Sequence, residues 1–115
     1  MDSDCIFCKI IKGDIKAKIV YKDDMVVGIE DINPQAPVHL LLMPKKHIPT
    51  PLDIKEEDKE ILTNIFMAAK KIAAEKNIGE SGYRMVLNCN AGAGQSVFHI
   101  HFHLLGGRRM EWPPG

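Results

Sequence analysis

The segment His99-Ile100-His101-Phe102-His103-Leu104-Leu105 limits the possible folds of this chain more than any other, because histidine and apolar residues alternate along it. In an extended strand successive side chains point to opposite faces, so this pattern puts three imidazoles on one face and Ile100, Phe102 and Leu104 on the other. The apolar face must pack against a core. The opposite face carries three groups suited to protons, metals or phosphate. Alternate residues of a strand lie roughly 6.5–7 Å apart, so one small anion touching the middle ring is within reach of its neighbours. Just upstream, Gly92-Ala93-Gly94-Gln95-Ser96 offers small residues, backbone N–H groups and a hydroxyl, the usual materials of a phosphate cradle. A metal centre competes with this reading, since His-x-His on a strand can give two neutral nitrogens to one zinc. Spacing alone leaves both open.

The remaining pattern supplies partners for such a strand. Residues 5–12 predict a short helix ending at Gly13, residues 18–21 and 25–29 two strands around the turn Lys22-Asp23-Asp24, and residues 38–43 a buried apolar strand closed by Pro44. Ile61, Leu62, Ile65, Ala69, Ile72 and Ala73 recur at helical spacing and predict a helix over residues 54–76, with Asp53 and Glu56 as a capping box and Gly79 beyond its end. Residues 83–88 predict a strand, 89–96 a glycine-containing loop and 97–105 the final strand. Five strands, one long helix and one short helix imply an α+β fold with a mainly antiparallel sheet. No repeat or linker divides the 115 residues, so a single domain over residues 1–115 is expected.

Fifteen basic residues balance fifteen acidic ones, which gives no general attraction to nucleic acid or to an anionic membrane, so a phosphate ligand must be held by local donors. No apolar run approaches the roughly 20 residues of a bilayer span, and the acidic start Met1-Asp2-Ser3-Asp4 lacks the layout of a signal peptide, so a cytoplasmic location is expected. The odd count of three cysteines argues against a disulfide framework and draws attention to Cys5-x-x-Cys8 as a metal-binding pair.

The histidine strand preceded by Gly94-Gln95-Ser96-Val97 resembles the histidine-triad superfamily. The likeness extends to Ile6-Phe7-Cys8-Lys9-Ile10-Ile11, Asp31-Ile32-Asn33-Pro34-Gln35-Ala36-Pro37, Pro44-Lys45-Lys46-His47 and the ending Gly106-Gly107-Arg108 to Trp112-Pro113-Pro114-Gly115. These features are similar to the Hint branch, the nucleoside phosphoramidases. The resemblance implies a homodimer whose two five-stranded sheets join into one of ten, with residues 108–115 a tail near the partner's active site. It implies hydrolysis of purine nucleoside 5′-phosphoramidates or mixed anhydrides to a nucleoside monophosphate. Two other readings remain: a dinucleoside-polyphosphate hydrolase or nucleotidyltransferase with the same nucleophile, and a nucleotide-binding scaffold with incidental activity.

Residue roles follow from the same resemblance. His101 is the expected nucleophile, attacking the α-phosphorus through one nitrogen while a hydrogen-bond acceptor, a backbone carbonyl, orients the other. A neutral imidazole suits the task because its phosphorus–nitrogen adduct hydrolyses readily. His103, Ser96 and His39 are the other expected catalytic residues. Asn88, Gly94, Gln95, Ser96 and Val97 are expected to hold the phosphate with His101 and His103. Asp31 is expected to accept from the ribose hydroxyls, with Ile29 and Ile32 flanking the base. Read without the resemblance, Asp31 is a turn or cap residue, Asn88 and Gln95 satisfy loop backbone, and His39 is a hydrogen-bonded core histidine. Some bacterial-type relatives pair Cys-x-x-Cys with two distant histidines around zinc, which implies Cys5, Cys8, His47 and His99 as ligands here. Such a closed tetrahedral site is structural, because no position is left for substrate. Reduced thiols or a redox couple are the other readings of the pair.

Overall fold

The computed structural model describes residues 4–115. Ile6–Lys12 forms α1, which Cys5 caps by accepting from the Cys8 N–H at 3.4 Å and which Gly13 ends at a φ of 90°. The sheet comprises β1 (Ile19–Lys22), β2 (Val26–Glu30), β3 (Val38–Pro44), β4 (Tyr83–Leu87) and β5 (Phe102–Gly106), in the order β1-β2-β3-β5-β4 with every pairing antiparallel. β3 and β5 are therefore central neighbours, although a long stretch of chain separates them. Between β3 and β4 runs α2 (Lys59–Glu75).

Each face of the sheet has its own core. On one, Ile65, Ala68, Ala69 and Ile72 of α2 meet Val26, Leu40, Leu42, Phe102 and Leu104. On the other, Cys5, Phe7, Cys8 and Ile10 meet Val27, Ile29, Leu41 and Met43. Strand alternation explains the division: Leu40 and Leu42 face α2, whereas Leu41 and Met43, between and beyond them, face α1. His39 and His103 share the parity of the α1 side. Burial of these two apolar faces is the main driving force for the fold.

Two boundaries differ from the sequence expectation by several residues, the others by about one. The long helix begins at Lys59, not near residue 54, because Ile54 and Lys55 are extended (ψ 132° and 166°) and Pro51–Asp53 and Glu56–Asp58 form single 3₁₀ turns. The expected cap pairing of Asp53 with Glu56 is replaced by local alternatives. Asp53 accepts from the N–H and hydroxyl of Thr50 at 3.1 and 2.9 Å, and Asp58 accepts from the Lys55 N–H at 2.9 Å and from Lys46 Nζ at 2.6 Å. Aspartate side chains compete well with helical bonds in this way. The last strand, expected from residue 97, begins at Phe102; upstream the chain is tied to the fold by the Ile100 N–H, which donates to the Ile48 carbonyl at 2.8 Å. No helix among the described residues is long and apolar enough to cross a membrane.

Candidate active site and metal cluster

The histidine segment distributes its three rings between two sites. His99, fully buried, turns toward the N-terminal segment, while His101 and His103 stay together with ring centroids 5.3 Å apart. Backbone partners determine which ring nitrogens carry protons, because a carbonyl can only accept and an amide N–H can only donate. His99 Nε2 lies 2.7 Å from the Pro44 carbonyl and must donate to it, so Nδ1 keeps a bare lone pair. His101 Nδ1 lies 2.9 Å from the His99 carbonyl and must donate, so Nε2 is the bare nitrogen. Alternate residues of one segment thus hold opposite tautomers.

His39 completes the pattern. The Gln35 N–H donates to His39 Nδ1 at 3.0 Å, so the neutral ring carries its proton on Nε2. That nitrogen is 2.9 Å from His103 Nδ1 and 3.4 Å from Asp31 Oδ2. His103 accepts at Nδ1 and is left with Nε2–H as its donor. The contact arises from strand register: His39 pairs with Leu105 and Leu41 with His103, which makes His39 and His103 diagonal neighbours on one face. Sequence reading placed His39 beside the triad only by resemblance, since a separation of 64 residues leaves no local signal.

Burial keeps these rings neutral near neutral pH. Loss of hydration is the largest influence on all four histidines and pulls each below the ordinary 6.5, taking His99 to about 4. At His101 the His99 carbonyl and Asp31 oppose this effect, and at His103 the neighbouring His101 and His39 reinforce it. A neutral imidazole with a bare Nε2 is competent for attack on phosphorus.

The residues expected to hold phosphate separate into two groups, those bonded within the loop and those left available. Gln95, only 5% exposed, is consumed by the loop itself: Oε1 accepts from the Asn90 N–H at 2.7 Å, and Nε2 donates to the Pro49 and Val97 carbonyls at 2.7 and 3.1 Å. Its own N–H donates to the Asn90 carbonyl, and the Gly94 N–H to the Ala91 carbonyl. Gly94 sits at a φ of 96°, the left-handed region that favours glycine. Gly94 and Gln95 therefore build the loop. Ser96 is exposed, and neither its hydroxyl nor its N–H is bonded among the described residues, so both donors are available. Asn88 and Val97 are half-buried at the two ends of this loop. Asp31 has two tasks: Oδ1 accepts from the Asn33 N–H at 2.8 Å, closing a turn, while Oδ2 faces His39. Ile29 is buried and Ile32 fully exposed, so only Ile32 is open to a ligand on all sides. Glu30, adjacent in sequence, pairs with Lys18 at 3.5 Å.

Cys5, Cys8, His47 and His99 bring four ligand atoms within 4.8 Å of one another. Cys5 Sγ to His99 Nδ1 is 3.3 Å, Cys8 Sγ to His47 Nδ1 3.5 Å, Cys8 Sγ to His99 Nδ1 3.6 Å, and His47 Nδ1 to His99 Nδ1 3.2 Å. A tetrahedron with metal–ligand distances of about 2.0–2.3 Å has edges of roughly 3.3–3.8 Å, so these residues fit a zinc-sized ion. The Pro44 carbonyl supplies the outer hydrogen bond that leaves His99 Nδ1 free to ligate. The cluster Asp31, His39 and His103 is equally close, but its geometry suits a proton. A metal on His39 Nε2 would displace the proton that the Gln35 N–H forces onto that nitrogen.

The comparisons with known proteins identify the family. A family model described as the scavenger mRNA decapping enzyme C-terminal binding domain matches residues 4–111. A purine nucleoside phosphoramidase of Escherichia coli is 47% identical over 110 residues, 96% of this chain and 92% of that protein. A crystal structure of a HIT family hydrolase from Legionella pneumophila superposes with a TM-score of 0.96 at 54% identity, covering 97% of this chain and 100% of that one. A HIT family hydrolase from Clostridium thermocellum gives 0.93 at 49% identity, covering 96% of each chain. With the fold, the three histidines and their loop all in place, the chain belongs to the histidine-triad family of hydrolases.

Proposed function

We propose that the protein hydrolyses nucleoside 5′-phosphoramidates or mixed anhydrides, with purine nucleosides as the substrate class, through a nucleotidyl-His101 intermediate. The observation that carries this reading is the pair of opposite tautomers at the reacting end: His101 offers a bare Nε2, and His103 offers Nε2–H. In the first displacement His101 Nε2 bonds to the α-phosphorus and the bond to the leaving amine breaks, the amine taking the electron pair and a proton from solvent. In the second, water bonds to phosphorus, the phosphorus–Nε2 bond breaks, and the water proton is released. Nucleoside monophosphate and free amine result.

The Nδ1–H bond to the His99 carbonyl steadies His101 as positive charge develops on its ring. His103 Nε2–H and the Ser96 donors stabilise the phosphate oxygens, and Asp31 accepts from the ribose hydroxyls. Gly94 and Gln95 hold the loop in shape, and Asn88, Val97, Ile29 and Ile32 complete the nucleotide cleft. The E. coli relative's name as a purine nucleoside phosphoramidase supports the substrate class. A zinc ion on Cys5, Cys8, His47 and His99 would act as a crosslink between the N-terminal segment and the sheet; with four protein ligands it has no open position for substrate. The exposed Phe66, Met67, Tyr83 and Trp112, together with the free edge of β4, support a homodimer whose sheets join there. A cysteine pair of this kind, kept as thiolates for a metal, accords with a reducing, cytoplasmic setting.

Turnover of an adenosine phosphoramidate with a fluorescent amine leaving group tests the reading, comparing wild type with His101→Ala and His101→Gly and quantifying bound zinc in each sample. Loss of nearly all activity with zinc retained supports it. Survival of activity in both variants removes His101 as nucleophile, and loss of activity on zinc removal without unfolding transfers the chemistry to the metal.

A further inference from the structure

We propose that Phe7 is a positioning residue for His101: its ring holds the nucleophilic imidazole in one rotamer without touching a reacting atom. The inference rests on the nucleophilic role of His101 proposed above and adds the residue that keeps the ring in place.

The hydrogen bond from His101 Nδ1 to the His99 carbonyl fixes which face and which tautomer the ring presents. That bond also restrains the first side-chain torsion, but a single hydrogen bond contributes only modestly, so a packed neighbour adds a second restraint. Among the described residues two rings lie against His101: His103 at 5.3 Å and Phe7 at 5.0 Å between centroids. His103 is held by His39 but is only half-buried and faces the substrate. Phe7 is the more enclosed wall, because it is 5% exposed and meets His101 edge-on at an interplanar angle of 84°, centroids within the range that aromatic pairs prefer.

Phe7 is also firmly anchored. It lies between Cys5 and Cys8, in the turn that Cys5 closes by accepting the Cys8 N–H. The same ring packs at 80° against His99, centroids 5.8 Å apart, and the two sulfurs flanking it in sequence contact His99 and His47. One apolar ring thus spans from the cysteine–histidine cluster to the nucleophile, joining residues that lie at opposite ends of the chain. Its position explains why a catalytic histidine upstream of the β5 ladder can remain fixed.

The test uses Phe7→Leu and Phe7→Met, two variants that keep apolar bulk but remove the ring, each checked for folding by circular dichroism and for bound metal. Three-bond couplings of His101 read its side-chain rotamer by NMR, and steady-state kinetics on the fluorogenic phosphoramidate separate kcat from KM. A single His101 rotamer in wild type and averaged couplings in a folded variant, with kcat lowered about tenfold and KM held within about twofold, are expected, since small misplacements of a reacting group are costly. Unchanged couplings overturn the proposal, as does a raised KM with kcat intact, which would make Phe7 a wall of the substrate cleft. Should wild type fail to turn over the phosphoramidate, the hydrolase reading above fails, and the rotamer measurement still decides the role of Phe7.

Discussion

Replacing His39 by leucine tests the tautomer chain most directly. The substitution removes the Nε2–H that lies 2.9 Å from His103 Nδ1 and leaves an apolar side chain of similar size in a buried position. A neutral hydrogen bond contributes about 0.5–1.5 kcal/mol net, so its loss shifts the balance between the two His103 tautomers by roughly two- to twelvefold. The active tautomer, with Nε2–H toward the substrate, ceases to dominate, and kcat should fall by a factor of that order. Removing His103 itself should cost more, in the range of about 10²–10⁴ typical of a positioned proton donor. The ordering His101→Ala, then His103→Ala, then His39→Leu, from most to least damaging, is measured with the fluorogenic adenosine phosphoramidate, and long-range nitrogen NMR spectra of His103 read the tautomer. A His39→Leu loss as large as that of His103→Ala, or an unaltered His103 tautomer in the variant, would refute the chain running from the Gln35 N–H.

Gly106→Ala would put a Cβ 2.6 Å from Ile78 Cδ1 and 3.1 Å from Ile78 Cβ, so urea unfolding should show a loss of about 1–3 kcal/mol, reduced when Ile78→Ala is added. Asp58 is held below its ordinary 3.8, chiefly by the Lys46 ammonium, so its contribution is complete above that pH and disappears as acid protonates the folded-state carboxylate. Asp58→Asn should therefore be less stable than wild type in urea melts at pH 5–8, with the gap closing below about pH 4; a gap unchanged at pH 3 would contradict this. A strong chelator should lower the melting temperature of zinc-loaded wild type but leave a Cys5→Ser/Cys8→Ser double variant unmoved, as differential scanning calorimetry will show.

Much of this protein is legible without its structure. The alternation from His99 to Leu104 announced one polar and one apolar face, and the structure has Phe102 and Leu104 packed on α2 with His103 on the other side. Helical spacing from Ile61 to Ala73 locates α2 but not its start. The side chains of Asp53 and Asp58 turn back to Thr50 and Lys55, a local competition that periodicity does not register. The cysteine pair was visible as a metal motif, yet its histidines had to be taken from resemblance, because His47 and His99 come from distant loops. Gln95, expected to hold phosphate, has its amide spent on the loop.

Short-range pattern thus determined the elements, the faces they bury and the residue types available for chemistry, since side-chain periodicity follows from backbone geometry alone. Which nitrogen of each histidine carries a proton was decided only by tertiary structure. Pro44, His99 and Gln35 supply backbone groups whose approach depends on strand register and loop path, and those partners give chemically identical rings three different tasks.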